Sequence, residues 1–163
     1  MSVTRRQIVA AAVGAAAVPA GPAAAQATGA DGLERLLALE HRLESAYGAA
    51  LDQGVIDPVL GRSLSGQERE HVRGVEVALE TLGRRPPRLR VTPPRRAALA
   101  GRPAFARFAL ELETEAVAGY VEVLGGLDAP GLLQPLGSIM TSAAQHQVAL
   151  RRVLAEPLLA VRG

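Results

Sequence analysis

Four amphipathic stretches, joined by two short links and one long proline-rich one, leave this chain few folds to choose from. Apolar residues recur at helical spacing from about Asp31, a plausible N-cap, to Asp52, and Gly54 follows as a stop. The second stretch ends at Gly83 and starts at one of two places. Asp57-Pro58 offers a cap followed by proline, and Ser65 with Glu68 three residues on offers a capping box. The third spans roughly Pro103 to Gly125, and the fourth follows Asp128-Ala129-Pro130 and continues to Glu156, before Pro157. None shows the two-residue alternation of a strand. Short links force neighbouring helices to run antiparallel, whereas the stretch from Gly83 to Arg102, with its five prolines through Pro103, can cover a whole helix at about 3 Å per residue. The expected fold is therefore all-α: a four-helix bundle of two hairpins with a long crossover between helices two and three.

Composition narrows the chemistry. With no cysteine, disulfides, thiol nucleophiles and thiolate-held metals are excluded, and any ion must be held by histidine and carboxylate. No serine sits in a glycine elbow, no glycine loop cradles phosphate, and no lysine is present for a Schiff base, so no catalytic residue is assigned. Residues 1–27 read as an export signal. Arg5-Arg6 form a twin-arginine motif, Ala10 to Val18 is an apolar run too short to span a bilayer, and Ala23-Ala24-Ala25 or Ala25-Gln26-Ala27 suits cleavage near Gln26. Residues 28–163 would then be the mature bundle, exported to the periplasm or the extracellular space without a transmembrane anchor. The twin-arginine route carries folded proteins, often with a cofactor already inserted.

Without Arg5 and Arg6, sixteen arginines balance sixteen acidic residues, and two Phe, two Tyr and no Trp give bases little to stack on. Nucleic acid is excluded as a partner. The remaining positive charge is concentrated in the crossover, where Arg84, Arg85, Arg88, Arg90, Arg95, Arg96 and Arg102 meet no acid between Glu80 and Glu111. This strap is either a solvated basic face or a contact for an anionic partner or surface. Homo-oligomerisation is left open.

Five polar residues fall where the helical stripes require apolar ones, and a buried charge needs a partner or a metal. Glu40 lies in the stripe of Leu33, Leu36, Leu37, Leu43 and Tyr47; Glu113 lies in that of Ala109, Ala116 and Tyr120. Glu68 and His71, three apart, project together from the face of Leu64 and Val75, and His146 lies among Leu136, Ile139, Ala143 and Leu150. The pattern repeats: Glu40 precedes Tyr47, and Glu113 precedes Tyr120, by seven residues, while His71 and His146 follow their glutamates by 31 and 33. Two pseudo-equivalent hairpins are implied. Two inward glutamates with a Glu-x-x-His motif on each of two further helices make up a dinuclear carboxylate site, and oxygen and imidazole donors suit iron or manganese. Each residue also has a plainer reading. Glu68 could close a capping box, Glu40 and Glu113 could pair with arginines, and His146 could be a satisfied core histidine. Glu44, Glu70, Glu111, Glu115 and His41 are expected to face water.

From residue 31 to 155 the chain resembles the bacterial ferritin-like domain proteins, exported members included. The matching text is Leu39-Glu40-His41 leading to Ala46-Tyr47, Gln67-Glu68-Arg69-Glu70-His71, Leu112-Glu113 leading to Ala116-Val117-Ala118-Gly119-Tyr120, and Ser138-Ile139 leading to Gln145-His146 and Leu150-Arg151. The resemblance implies Glu40 and Glu113 as terminal ligands, Glu68 as a bridge, and His71 and His146 as imidazole ligands. It also marks a departure, since Ala143 stands three residues before His146 where a second bridging glutamate belongs. Three negative charges do not balance two divalent ions, and Ser142, Gln145 or a water is a poor replacement for a bridging carboxylate. A degenerate dinuclear site binding one iron or manganese ion is therefore expected, the alternative being a metal-free structural or interaction module on the same fold.

Overall fold

The computed structural model describes residues 22–155. The twin-arginine motif, the apolar run after it and Pro157 lie outside the described residues. Four helices follow one another, α1 (Pro22–Asp52), α2 (Pro58–Thr81), α3 (Arg102–Gly126) and α4 (Pro130–Leu154), with one 3-10 turn at Arg96–Leu99 before α3. No strand occurs among the described residues. The all-α expectation holds.

Two helix starts differ from, or decide between, the sequence readings. Asp31 is not an N-cap, because α1 begins nine residues earlier at Pro22. Alanines at 23, 24, 25, 27 and 30 favour helix strongly, and the single Gly29 costs only about 1 kcal/mol against them. Asp31 is instead exposed and takes Arg84 at 2.6 Å, tying the start of the crossover to α1. For α2 the cap is Asp57, whose carboxylate accepts from the backbone amides of Val59 and Leu60 at 3.0 Å each, with Pro58 in the first turn. Ser65 lies buried within α2, so Glu68 is free of any capping role. Gly54 and Gly83 end the first two helices at φ of +66° and +73°, a conformation that only glycine adopts cheaply.

Chain direction follows from the contacts. Tyr47 lies opposite Glu113 and Tyr120 opposite Glu40, so α1 and α3 are antiparallel. The five-residue link before Pro58 makes α2 antiparallel to α1 as well, and α2 and α3 therefore run the same way. Only a connection as long as the bundle can join them. Residues 84–95 carry no helix or strand; extended at about 3.1 Å per residue they cover about 37 Å, close to the length of a 24-residue helix. The crossover is not extended throughout, because the turn at Arg96–Leu99 buries Leu99 against the core.

The core is continuous along all four helices, with Leu33, Leu37, Leu43, Leu79, Leu136 and Leu150 fully buried and Phe105 edge-on to Tyr47 at 5.6 Å. Helices from different hairpins approach closely where side chains vanish. A Cβ on Gly119 would stand 2.9 Å from Leu36, and one on Gly74 would stand 2.7 Å from Ile139. None of the helices among the described residues is long and apolar enough to cross a membrane.

The Asp57 cap can be tested by thermal unfolding. Asp57→Ala should lower the unfolding temperature, while Asp57→Asn, which keeps an accepting oxygen, should retain most of it.

Candidate metal centre

A helix that buries one stripe carries into the core whatever side chain occupies that stripe. Glu40 of α1, Glu68 and His71 of α2, Glu113 of α3 and His146 of α4 all meet in this way. The three carboxylates have no solvent exposure at all, and the two imidazoles are nearly as buried. All five residues singled out in the sequence come together.

The arrangement is two triads sharing one residue. Donor atoms of Glu40, Glu68 and His71 lie within 4.8 Å of one another, and so do those of Glu68, Glu113 and His146. His71 Nδ1 stands 3.3 Å from Glu68 Oε2 and 3.5 Å from Glu40 Oε2. His146 Nδ1 stands 2.8 Å from Glu68 Oε1 and 3.0 Å from Glu113 Oε1. The two rings stack at 5.5 Å with Glu68 between their reach. No inward arginine pairs with Glu40 or Glu113 among the described residues, so that plainer reading does not hold. Instead the seven-residue spacing repeated in the two hairpins produces exchanged hydrogen bonds: Tyr47 donates to Glu113 Oε1 at 2.8 Å and Tyr120 to Glu40 Oε1 at 2.7 Å.

These two bonds do not satisfy the cluster. Glu40 Oε2, both oxygens of Glu68, Glu113 Oε2 and His71 Nδ1 are buried without a hydrogen-bond partner. Most buried polar atoms find a partner, and one left without costs about 1–3 kcal/mol, more when charged. Four orphaned carboxylate oxygens facing imidazole nitrogens are the donor set a cation would complete, and the oxygen and nitrogen chemistry suits iron or manganese.

The electrostatics agree. Burial acts to lower the pKa of His71, but Glu40 and Glu68 override it and hold the ring up to about 10. Burial likewise opposes the charge on His146, which Glu113 and Glu68 hold up to about 9. Glu113 is pushed up by burial against the lowering influence of His146. Burial, then the neighbouring carboxylates, push the phenols of Tyr47 and Tyr120 well above their ordinary value, so both remain neutral donors. Without a cation, the two imidazoliums provide the positive charge.

Ala143 is buried on α4 and lies seventy-five positions after Glu68, the same interval that separates His71 from His146. The second bridge is thus missing from its pseudo-symmetric position. Gln145, considered as a replacement, points to solvent. Ser142 turns its hydroxyl toward Gln67 Oε1 at 3.1 Å and His146 Nε2 at 3.4 Å, on the ring edge away from the carboxylates. One residue escaped the sequence reading: Gln67, whose Oε1 lies 2.8 Å from His146 Nε2. Its only signal was its place directly before Glu68. Glu70, Glu111 and Glu115 are exposed as expected, whereas His41 and Glu44 are half-buried beside each other, with Arg69 3.3 Å from Glu44.

The fold has counterparts among known proteins. The sequence profile of the ferritin-like domain family matches residues 28–156, and the chain belongs to that family. A crystal structure of a conserved hypothetical protein from Mycobacterium tuberculosis superposes with a TM-score of 0.70 at 20% identity, covering 85% of this chain and 99% of that one. No curated protein matches the sequence.

Both histidines have folded pKa values above the ordinary 6.5. Their contribution is therefore complete below about pH 6.5 and is lost as pH rises through 9 and 10. Urea midpoints of the metal-free protein, held in chelator, should fall between pH 7 and 10.5. Tyr120→Phe, which strands Glu40 Oε1, should cost about 1–3 kcal/mol in the same assay, and Tyr47→Phe less, because Glu113 Oε1 keeps His146 Nδ1 at 3.0 Å.

Proposed function

We propose that this protein is an exported ferritin-like bundle that holds one iron or manganese ion inside, its donors drawn from Glu40, Glu68, His71, Glu113 and His146. The observation carrying this reading is the set of buried, unpartnered carboxylate oxygens gathered around two imidazole nitrogens. A core that needed only stability would be better served by apolar side chains of similar volume, because buried charge seldom repays its desolvation. Three carboxylates neutralise one divalent ion readily and two incompletely, and the Ala143 position supplies no fourth. Metal binding here would displace the imidazole protons, so affinity should rise with pH.

Export is supported by the Arg5-Arg6 motif and the short apolar run after it. Cleavage near Gln26 would trim the first turn of α1 and leave the buried positions from Ala30 onward in place. The arginine strap adds a second contact in this reading. Only Arg84 of its seven arginines has an acidic partner among the described residues, and the others are free to meet an anionic surface. Binding to anionic lipid vesicles at low ionic strength that fades with salt would support that contact; no binding at low salt would remove it.

The metal is tested by elemental analysis of protein produced with added iron or manganese. About one ion per chain is expected, and less than about one-tenth would favour a metal-free interaction module instead. Glu68→Gln should remove most of the ion. Ala143→Glu should destabilise the metal-free bundle by adding a fourth buried carboxylate, yet raise metal content toward two ions per chain.

A further inference from the structure

The two triads match in their carboxylates but not in their histidines. Glu40 and Glu113 each accept one tyrosine hydrogen bond, at 2.7 and 2.8 Å, and each leaves its second oxygen unpartnered. Any difference in how the halves hold an ion must therefore come from the rings.

His146 is held at both nitrogens. Nδ1 faces Glu68 and Glu113, and Nε2 lies 2.8 Å from the amide oxygen of Gln67. That amide is itself oriented, since its nitrogen donates to the Ser63 hydroxyl at 3.1 Å and its oxygen also accepts from the Ser142 hydroxyl at 3.1 Å. An amide oxygen has no proton to give, so the hydrogen between it and the ring belongs to Nε2. The proton a cation can displace is then the one on Nδ1, where the carboxylates converge.

His71 lacks this support. No residue hydrogen-bonds its Nε2 among the described residues, and its Nδ1 is 3.3 Å or more from either carboxylate. The hairpin repeat explains why. Gln67 on α2 serves the histidine of α4, and the position seventy-five residues later, which would serve the histidine of α2, is Ser142. A serine is too short for that reach, and its hydroxyl turns to Gln67 instead.

We propose that Gln67 is a positioning residue that keeps His146 in its Nε2–H tautomer, and that Glu68, Glu113 and His146 form the tight half of the site, filled before Glu40, Glu68 and His71. The inference rests on the metal-binding reading above and specifies which half holds the single ion. The His146 half would offer a ring already oriented, its Nδ1 turned to the carboxylates and having only its proton to give up, whereas the other half would also have to fix the His71 ring. Outer partners that orient a ligating histidine typically contribute about 10–100-fold to metal affinity.

Manganese(II) titrated into the metal-free protein, followed by calorimetry and by electron paramagnetic resonance of the free ion, reads the order of filling. The wild type should bind one ion tightly. His146→Ala should abolish that ion, His71→Ala should leave it, and Gln67→Leu should weaken it about 10–100-fold, while Gln67→Glu, which still accepts at the same place, should restore it. Gln67→Ala replaces the leucine variant if leucine disturbs folding. Unchanged affinity in the Gln67 variants, or loss of the tight ion in His71→Ala rather than His146→Ala, would overturn the proposal. Long-range proton–nitrogen NMR of the neutral rings in metal-free protein separates the two layers of argument. A wild-type His146 carrying its hydrogen on Nδ1 overturns Gln67's role, whereas Nε2–H in a protein that binds no manganese leaves that role standing and sinks the metal reading together with the filling order.

Discussion

Three carboxylates packed into one helical core repel one another, and each must shed its water to be there. The bundle tolerates them because every helix that brings in a carboxylate or faces one also brings a counterpart. α1 gives Glu40 and Tyr47, α3 gives Glu113 and Tyr120, α2 gives Glu68 with His71, and α4 gives His146. The phenols stay neutral because burial and the nearby negative charge both oppose their ionisation, and the imidazoles stay charged because the same negative charge outweighs burial. The polar interior thus sets the helix order around the core as firmly as the leucines do. A register slip of one residue in any helix would bury an unmatched charge.

The crossover follows from that pairing. Exchange of tyrosine and glutamate between α1 and α3 requires them to run in opposite directions, and this leaves α2 and α3 running in the same one. A tight turn cannot join two parallel neighbours. The proline-rich stretch spans the distance, its first arginine fastened to Asp31 and its last turn anchored by Leu99.

Much of this was legible in the sequence because a buried stripe has a fixed period, and a glutamate or histidine placed on it must point inward. Glu40, Glu68, His71, Glu113 and His146 were found by that rule alone. The start of α1 was not, since an alanine-rich approach offers no polar cap to stop the helix, and Asp31 resembles a cap only when read without Arg84. The opposing starts of α2 could not be separated by pattern, because Ser65 and Glu68 satisfy a capping box whether or not a helix begins there. Gln67 was invisible for a different reason. It is half-buried at the edge of the stripe, and its meaning depends on a ring nitrogen supplied by a helix some eighty residues away.

The shared carboxylate also makes the five positions unequal in their tolerance of change. Glu68 alone reaches both rings, while each of the other four side chains serves one triad. Drift at any of those four leaves one complete cluster; drift at Glu68 dismantles both at a stroke. A descendant of this bundle that lost both donor clusters by a single replacement would have one route, through that one codon.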